Sequence, residues 1–472
     1  MDEASAGITV EEYKELRRRL EAVEKELERM TRTNEELCRE NQALREENER
    51  LKRTLNNNSR NSSLPPSTNQ PGRAANTYNS RKSTGKKAGG QPGHKGRHLS
   101  AADVKKKIES GEYEHRFEEI GTPGEKYIIR YRLDLEVRTI ATEIKIYADE
   151  NGNYNIPEEM KAEVFYGNGV KAIVGLLFGE GNLANDKIQE FINSISGDSL
   201  NISAGSIYGF CEEMGQKCEE LRPEIEGQIS NAEVLCTDAT TVKTNGKQSY
   251  IRNFSTEDSV LYEASSRKNL SSLKGMRVLK NYKGILEHDH ETAMYHFGTG
   301  HGECNVHIAR YLQKNTEETR NTWSRDMSGF LHGMNCARKE LIRAGEESFT
   351  QEQLERYESR YDEIIAMGRE QNQHTQGAVA KREESRLLNR LTKYKSNHLL
   401  FLHNFNVPFS NNMSEKDLRT CKTRQKMSGG FRTEEGRQMF CNIKSIIETV
   451  KRRGMNVYQS IVSLFAGKLA LS

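Results

Sequence analysis

A strict seven-residue repeat near the start of the chain limits what that part can fold into. Leu16, Val23, Met30, Leu37, Leu44 and Leu51 recur at one seam position, and Tyr13, Leu20, Leu27, Asn34, Asn41, Asn48 and Leu55 at the other. An apolar period of 3.5 marks a helix whose stripe is covered by another helix, so residues 1–57 are expected to form a coiled coil, ~65 Å long at 1.5 Å per residue. The first set fits heptad position d and the second position a, which places asparagine at three successive a positions. Buried asparagines match only their own counterparts in register; this costs stability but favours a parallel homodimer. The alternative is one long amphipathic helix lying on its own protein.

After Asn56-Asn57-Asn58 the chain changes character. Residues 51–100 carry ten Lys or Arg and no Asp or Glu, and four of the eight prolines fall there. Such a segment is a tether that seeks polyanions. Within it Lys86, Lys87, Lys95 and Arg97 stand among glycines that let backbone approach closely, as DNA minor-groove arms do; a plain linker over 58–105 is the other reading. The chain-wide balance of 71 basic against 68 acidic residues hides this asymmetry. A second excess lies between 416 and 454, with eleven Lys or Arg against Asp417, Glu434, Glu435 and Glu448. Two separated basic surfaces point to extended nucleic-acid contact.

At roughly 150 residues per domain, 472 residues predict about three structural units. No apolar run approaches the ~20 residues needed to cross a bilayer, so no membrane partner is expected. The first sixteen residues lack a basic region followed by an apolar one, and eight cysteines without a Cys-x-x-Cys pair read as reduced thiols. A cytoplasmic, nucleoid-associated protein is expected.

Strand-like alternation at 127–133 and 142–147 predicts a small β-rich module over 106–160. Residues 161–230 read as helical, and a DNA-binding role is one reading of them, since Ser and Gly near 203–206 precede another helix in a layout compatible with helix-turn-helix. Residues 233–242 are a β-branched run, followed by Asn245-Gly246, the favoured type I′ hairpin turn. Residues 247–254 and 260–264 supply two more strands, 270–282 a helix, and 284–288 a short buried strand ending at Asp289. That β-β-β-α-β order resembles the ribonuclease H-like fold, in which one carboxylate sits on the first strand and another at the end of the fourth. Asp238 and Asp289 occupy those positions. The expected class is therefore α/β, with a ribonuclease H-like catalytic core over 231–455. A helical insertion at about 315–400 interrupts it, the coiled coil and β-rich module precede it, and a C-terminal helix at 456–472 follows. Trp323, the only tryptophan, either stacks on a base or anchors two helices.

A phosphoryl-transfer site of this type needs a third carboxylate, because two divalent cations ~4 Å apart must be flanked by hard oxygen ligands. Glu415, at the start of a helix over 416–427, is the candidate. Asn412 as N-cap with Glu415 three residues later would equally make a capping box that needs no catalysis.

The string Pro408-Phe-Ser-Asn-Asn-Met-Ser-Glu-Lys-Asp-Leu-Arg419, continuing through Lys422-Thr-Arg-Gln-Lys-Met-Ser-Gly-Gly-Phe-Arg432, resembles the C-terminal signature of the insertion sequence 66 family of bacterial Asp-Asp-Glu transposases. Similar agreement appears at Thr237-Asp238-Ala239-Thr240, at His288-Asp289-His290, at His301-Gly-Glu-Cys304-Asn-Val-His307 and at Gly89-Gly-Gln-Pro-Gly-His-Lys-Gly96. The resemblance implies that Asp238, Asp289 and Glu415 are catalytic and hold two Mg²⁺, with Mn²⁺ able to substitute. It implies cleavage at element ends, transfer of the 3′-hydroxyl to target DNA, and accessory proteins of the same element. A degenerate member would bind DNA without cutting it. Arg419, Lys422, Arg424 and Lys426 are expected to neutralise phosphates, although Arg419 also stands at i, i+4 from Glu415.

Two features depart from the family. Residues 101–200 contain no cysteine, so the zinc module common there is excluded by lack of thiolates. Ala239 stands where glutamate usually follows the first aspartate. His301, Cys304 and His307 are structural or, less expected, zinc ligands. The preferred reading packs Cys304 in the core and leaves His307 to orient a carboxylate or touch DNA.

Overall fold

The computed structural model describes residues 9–57, 61, 99–120 and 127–471. Helix α1, Val10–Asn56, starts at a reciprocal cap: the Thr9 hydroxyl accepts from the Glu12 N–H, and the Glu12 carboxylate accepts from the Thr9 N–H. None of its 47 residues is buried. Leu16, Leu27 and Leu44 are each about 60% exposed, so the apolar seam does not lie on its own protein. Only the last turns touch the body, through Arg53 with Glu318, Arg382 3.9 Å from Glu46, and the Val379 N–H donating to Glu49 at 3.4 Å.

Helix α2, Ala101–Glu109, is capped by Ser100 and Asp103. Beyond it the β-rich module expected over 106–160 contains no strand among the described residues. Arg116 meets Glu136 at 2.7 Å and Arg132 meets Glu118 at 2.9 Å, which brings two extended stretches side by side. No ladder joins them, and Ile120, Leu135 and Ile140 stay exposed. Alternation stabilises a strand only when a core receives its apolar face, and exposed ion pairs contribute little.

Three helices follow: α3, Asn168–Gly179; α4, Asn185–Ile195; and α5, Ala204–Ser230. Ile207, Cys211, Met214, Cys218, Ile225 and Ile229 sink one face of α5 into the main core, while Tyr208, Glu212, Gln216 and Glu220 leave the opposite face exposed.

The sheet begins with a meander: β1, Val234–Thr244; β2, Lys247–Ser255; and β3, Val260–Ser265. Asn245 and Gly246 take φ of 48° and 74°, the two positive values a type I′ turn requires. In place of one helix over 270–282 stand α6, Leu270–Lys274, and α7, Arg277–Asn281, separated by Gly275 and an extended Met276. Strand β4, Ile285–His288, runs parallel to β1, and β5, Gly300–Glu303, runs parallel to β4. The sheet order is β3-β2-β1-β4-β5.

The remainder is helical: α8, Asn305–Thr319; α9, Trp323–Ala344; α10, Gln351–Gln373; α11, Ala378–Lys393; α12, Lys395–His398; α13, Leu400–His403; α14, Asn412–Ser428; α15, Glu434–Arg452; and α16, Val457–Phe465. Two apolar cores result. One joins α3–α5, the sheet and α14–α16 around Met214, Leu235, Phe254, Leu261 and Phe440. Helix α15 also covers the sheet edge: the N–H groups of Val260 and Tyr262 donate to Thr449 Oγ1 at 3.1 Å and to Ser445 Oγ at 2.8 Å, so β3 offers no free ladder there. The other core belongs to α8–α13 and holds Leu312, Trp323, Tyr361, Leu388 and Phe401. Trp323 is fully buried and its indole N–H donates to Glu384 Oε1 at 2.6 Å, which anchors α9 on α11 and leaves no ring face for a base. Among the described residues no helix is long and apolar enough to cross a membrane.

Candidate active site

Strands β1 and β4 lie side by side with Thr237 opposite His288. The next residue on each is an aspartate, so Asp238 and Asp289 emerge together where the parallel pairing ends. Helix α14 is fastened over β1 at both ends. At its start the Asn411 amide donates to Thr237 O at 2.9 Å. Beyond its end Phe431 N–H donates to Lys243 O at 2.9 Å, and a Cβ at Gly430 would stand 2.7 Å from that same carbonyl. Asn253 on β2 adds a clasp, accepting from the Asp238 N–H at 3.2 Å and donating to Ser414 O at 3.2 Å.

The N-cap of α14 is Asn411, without a side-chain cap, so the capping box from Asn412 does not form. Glu415 thus has no capping role, and its carboxylate lies near the start of α8. His307, in the first turn of α8, lies between it and Asp289: His307 Nδ1 is 3.4 Å from Asp289 Oδ1 and 3.9 Å from Glu415 Oε1. Arg419 makes no ion pair with Glu415 among the described residues.

Electrostatics ties Asp238 to the same place. Burial, then the charge of Asp289, pushes its carboxyl up to about 6, against a backbone N–H of Ala239 donating at 2.6 Å. Burial would raise Asp289 as well, but hydrogen bonding to His307 and to Asn411 outweighs it and holds that carboxyl below its ordinary value. The two aspartates are therefore split, with Asp289 the more readily ionised.

The sequence model of the Transposase IS66 family matches residues 188–439, from within α4 to within α15 and across the whole sheet. The chain belongs to this transposase family. Residues 10–100 match a second family, one of unknown function (DUF6444), which covers α1 and the basic segment. No curated protein matches the chain. As an IS66 family transposase it is a DNA-processing enzyme, and DNA binding is expected of it.

The transposase does not gather His301, Cys304 and His307 into one ligand set. Cys304 and His307 group with Asp289, all ligand atoms within 4.8 Å of one another, whereas His301 on β5 turns its ring to Tyr295 at 4.4 Å. Successive residues of a strand face opposite ways, and the strand ends before α8 begins, so a spacing of three residues does not put these side chains on one face. Cys304 is buried, its thiol raised well above the usual range by burial, and it accepts from the Asn411 N–H at 3.3 Å.

A second group, His290, Glu303 and His398, lies alongside. Glu303 is buried and accepts from His398 Nε2 at 2.8 Å, from the Tyr295 hydroxyl at 2.7 Å and from Arg390 at 2.6 and 2.7 Å. With a guanidinium already on both oxygens, this is an ion network that locks β5 to α11 and α12. Arg390 and His398 carry no local signal in the sequence. Asn253 and Asn411 likewise emerge only from the fold.

Of the cations expected on DNA, Arg419 and Lys426 are exposed on α14. Lys422 is also exposed, but its ammonium donates to Thr241 Oγ1 at 2.8 Å and so braces α14 on β1. Arg424 corrects the expectation: it is buried, donates to Leu183 O at 2.8 Å and stacks 4.3 Å over Phe178. Arg437 and Lys444 are buried too, so the excess at 416–454 is only partly a surface. An Arg424→Ala protein is expected to lose about 2 kcal/mol of stability in urea unfolding and to bind DNA with unchanged affinity and salt slope. Lys86, Lys87, Lys95 and Arg97 lie outside the described residues.

Proposed function

We propose that this transposase cuts DNA at the ends of its element and joins the freed 3′-hydroxyl to target DNA, through a ribonuclease H-like centre in which Asp238, Asp289 and Glu415 hold two Mg²⁺, with Mn²⁺ able to substitute. The observation that carries the reading is the single imidazole nitrogen of His307 flanked by Asp289 and Glu415, residues from two elements far apart in sequence, beside an Asp238 that feels the charge of Asp289. The sheet order, three antiparallel strands followed by two parallel ones, supports the fold assignment.

The residues fit hard divalent cations. Asp238, Asp289 and Glu415 offer hard oxygen donors, and the buried Asp289 Oδ1 has only the long 3.4 Å contact with His307 Nδ1. Bound there, such cations would activate a water and stabilise the leaving 3′ oxygen. The chain itself supplies placement. Strand pairing fixes the two aspartates, the clasps on α14 fix Glu415, and the buried floor keeps bulk water from the ligands. Exposed Arg419 and Lys426 follow Glu415 on α14 and are suited to phosphates of the same DNA.

Incubation of the purified protein with labelled element ends should give strand cleavage only with Mg²⁺ or Mn²⁺, and Glu415→Gln should lose it. Cleavage retained by that variant would remove the third carboxylate from the proposal; binding without cleavage by the parent protein would favour a DNA-holding role.

The bare seam of α1 supports a parallel homodimer through its heptads, one protomer for each element end. A helix with its whole apolar stripe in water gains little from its own surface. Deleting residues 1–56 is expected to convert a dimer to a monomer in light scattering, and a dimer of unchanged mass would refute that role.

A further inference from the structure

His307 is buried in the first turn of α8, and its two ring nitrogens face different partners. Nε2 stands 3.2 Å from Nη1 of Arg310, one turn along the same helix. Arginine has donors and no acceptor, so Nε2 must be the bare, accepting nitrogen, and the ring proton then sits on Nδ1. That is the nitrogen directed at Asp289 Oδ1 and Glu415 Oε1. At 3.4 and 3.9 Å the N–H belongs firmly to neither carboxylate. Both Nδ1 and Asp289 Oδ1 lack a regular partner although both are buried. The donor is therefore centred in the gap between two anions.

The start of α8 is itself tied to the segment that leads into α14. The Asn305 N–H donates to Phe409 O at 3.1 Å, and Cys304 Sγ accepts from the Asn411 N–H at 3.3 Å. The helix carrying His307 and the helix carrying Glu415 are thus fixed to one another next to Asp289.

We propose that Arg310 sets the tautomer of His307, and that the Nδ1–H so fixed is a positioning group that holds Asp289 and Glu415 aimed at one point before a cation arrives. Two carboxylates on separate elements otherwise relieve their repulsion by turning apart, and a site that must regather its ligands binds metal more weakly. The inference rests on the metal-centre reading above and adds two residues to it. An asparagine at 307 places an amide donor near the position of Nδ1, whereas leucine fills the space with no donor. Arg310→Met leaves His307 in place but frees Nε2 to take the proton.

The test uses the full-length protein free of metal, with Mn²⁺ alone as probe. Nitrogen-15 NMR of labelled histidines, with His307 identified among the twelve by its loss in His307→Asn, should report the Nδ1–H tautomer in the parent protein and a shift toward Nε2–H in Arg310→Met. Calorimetric titration should give His307→Asn an Mn²⁺ affinity within about threefold of the parent, and His307→Leu and Arg310→Met affinities weaker by about tenfold or more. A general packing role for the ring would instead weaken the asparagine and leucine variants alike. An Nε2–H tautomer in the parent, or parent-like Mn²⁺ affinity in Arg310→Met, overturns the proposal; the latter measurement stands even where His307→Leu fails to fold. Asp289→Asn and Glu415→Gln separate the two readings. Should they bind Mn²⁺ as the parent does, the metal centre is wrong; should they lose it while Arg310→Met keeps it, only the positioning inference falls.

Discussion

An Asp238→Asn protein is expected to be more stable than its parent when metal-free, by about 2 kcal/mol at pH 7.5, and to have no strand-cleavage activity. Burial and the neighbouring Asp289 hold the Asp238 carboxyl at about 6 in the folded chain, against an ordinary value of 3.8. Between about pH 4 and pH 6 the folded protein keeps a proton that the unfolded chain has already lost. The group's contribution therefore falls as pH rises through that window and stays unfavourable above it. Asparagine carries no charge and is spared the cost. Urea unfolding in EDTA should show little difference between the two proteins at pH 3.5 and a clear one at pH 7.5. Adding Mn²⁺ should raise the unfolding midpoint of the parent and leave that of the variant in place, since a cation stabilises only the form that binds it. A variant less stable than the parent at pH 7.5, or one still stabilised by Mn²⁺, would break the link drawn between burial of this carboxylate and cation capture.

The largest loss of stability is expected from Glu303→Ala, about 3–5 kcal/mol. The substitution strands the Arg390 guanidinium and removes the acceptor of His398 and Tyr295 in a buried place. Burial by itself would raise the Glu303 carboxyl, but hydrogen bonding from His398, the neighbouring His290 and the Tyr295 hydroxyl keep it well below the usual range. Its contribution is accordingly present above the unfolded value near 4.5 and is lost as pH falls toward the folded one. Glu303→Gln keeps an acceptor and should cost less than alanine. Combining Glu303→Gln with Arg390→Met removes the stranded charge, so the pair should be less destabilising than the two single costs added together. A loss below about 1 kcal/mol for alanine would mean that the network is not what locks the helical unit to the sheet.

Much of the central region is legible from local chemistry. Asn245-Gly246 between β-branched runs sets the β1–β2 hairpin, because both residues tolerate the positive φ the turn requires. The strand ending at Asp289 and the helix carrying Glu415 follow from short apolar or helical runs with clear stops. Strand β5 is missed because Gly300-His301-Gly302-Glu303 has two glycines and no β-branched residue; its place comes from pairing with β4, which only the fold supplies. The alternation at 127–147 misleads in the opposite direction, since local pattern exists there and the tertiary partner does not. Arg424 shows the limit of counting charges. Its neighbours on α14 face solvent, and one turn of the helix puts this guanidinium over Phe178 instead. Glu303 and His398 meet across 95 positions of sequence, and nothing local marks that pairing.

The whole helical unit of α8–α13 stands between the two aspartates of the sheet and the glutamate of α14. During synthesis a chain would acquire its N-terminal helix, its basic segment and two of the three proposed acidic ligands long before the last one leaves the ribosome. The unit in between must then pack, because the residues just before and just after it meet where the Asn411 N–H donates to Cys304 Sγ. A transposase still being translated, or one clipped before α14, would carry the basic segment yet lack Glu415, the third carboxylate of the proposed centre. On the proposed reading, order of synthesis acts as a safety catch, withholding the last acidic ligand until the helical unit before it has been made.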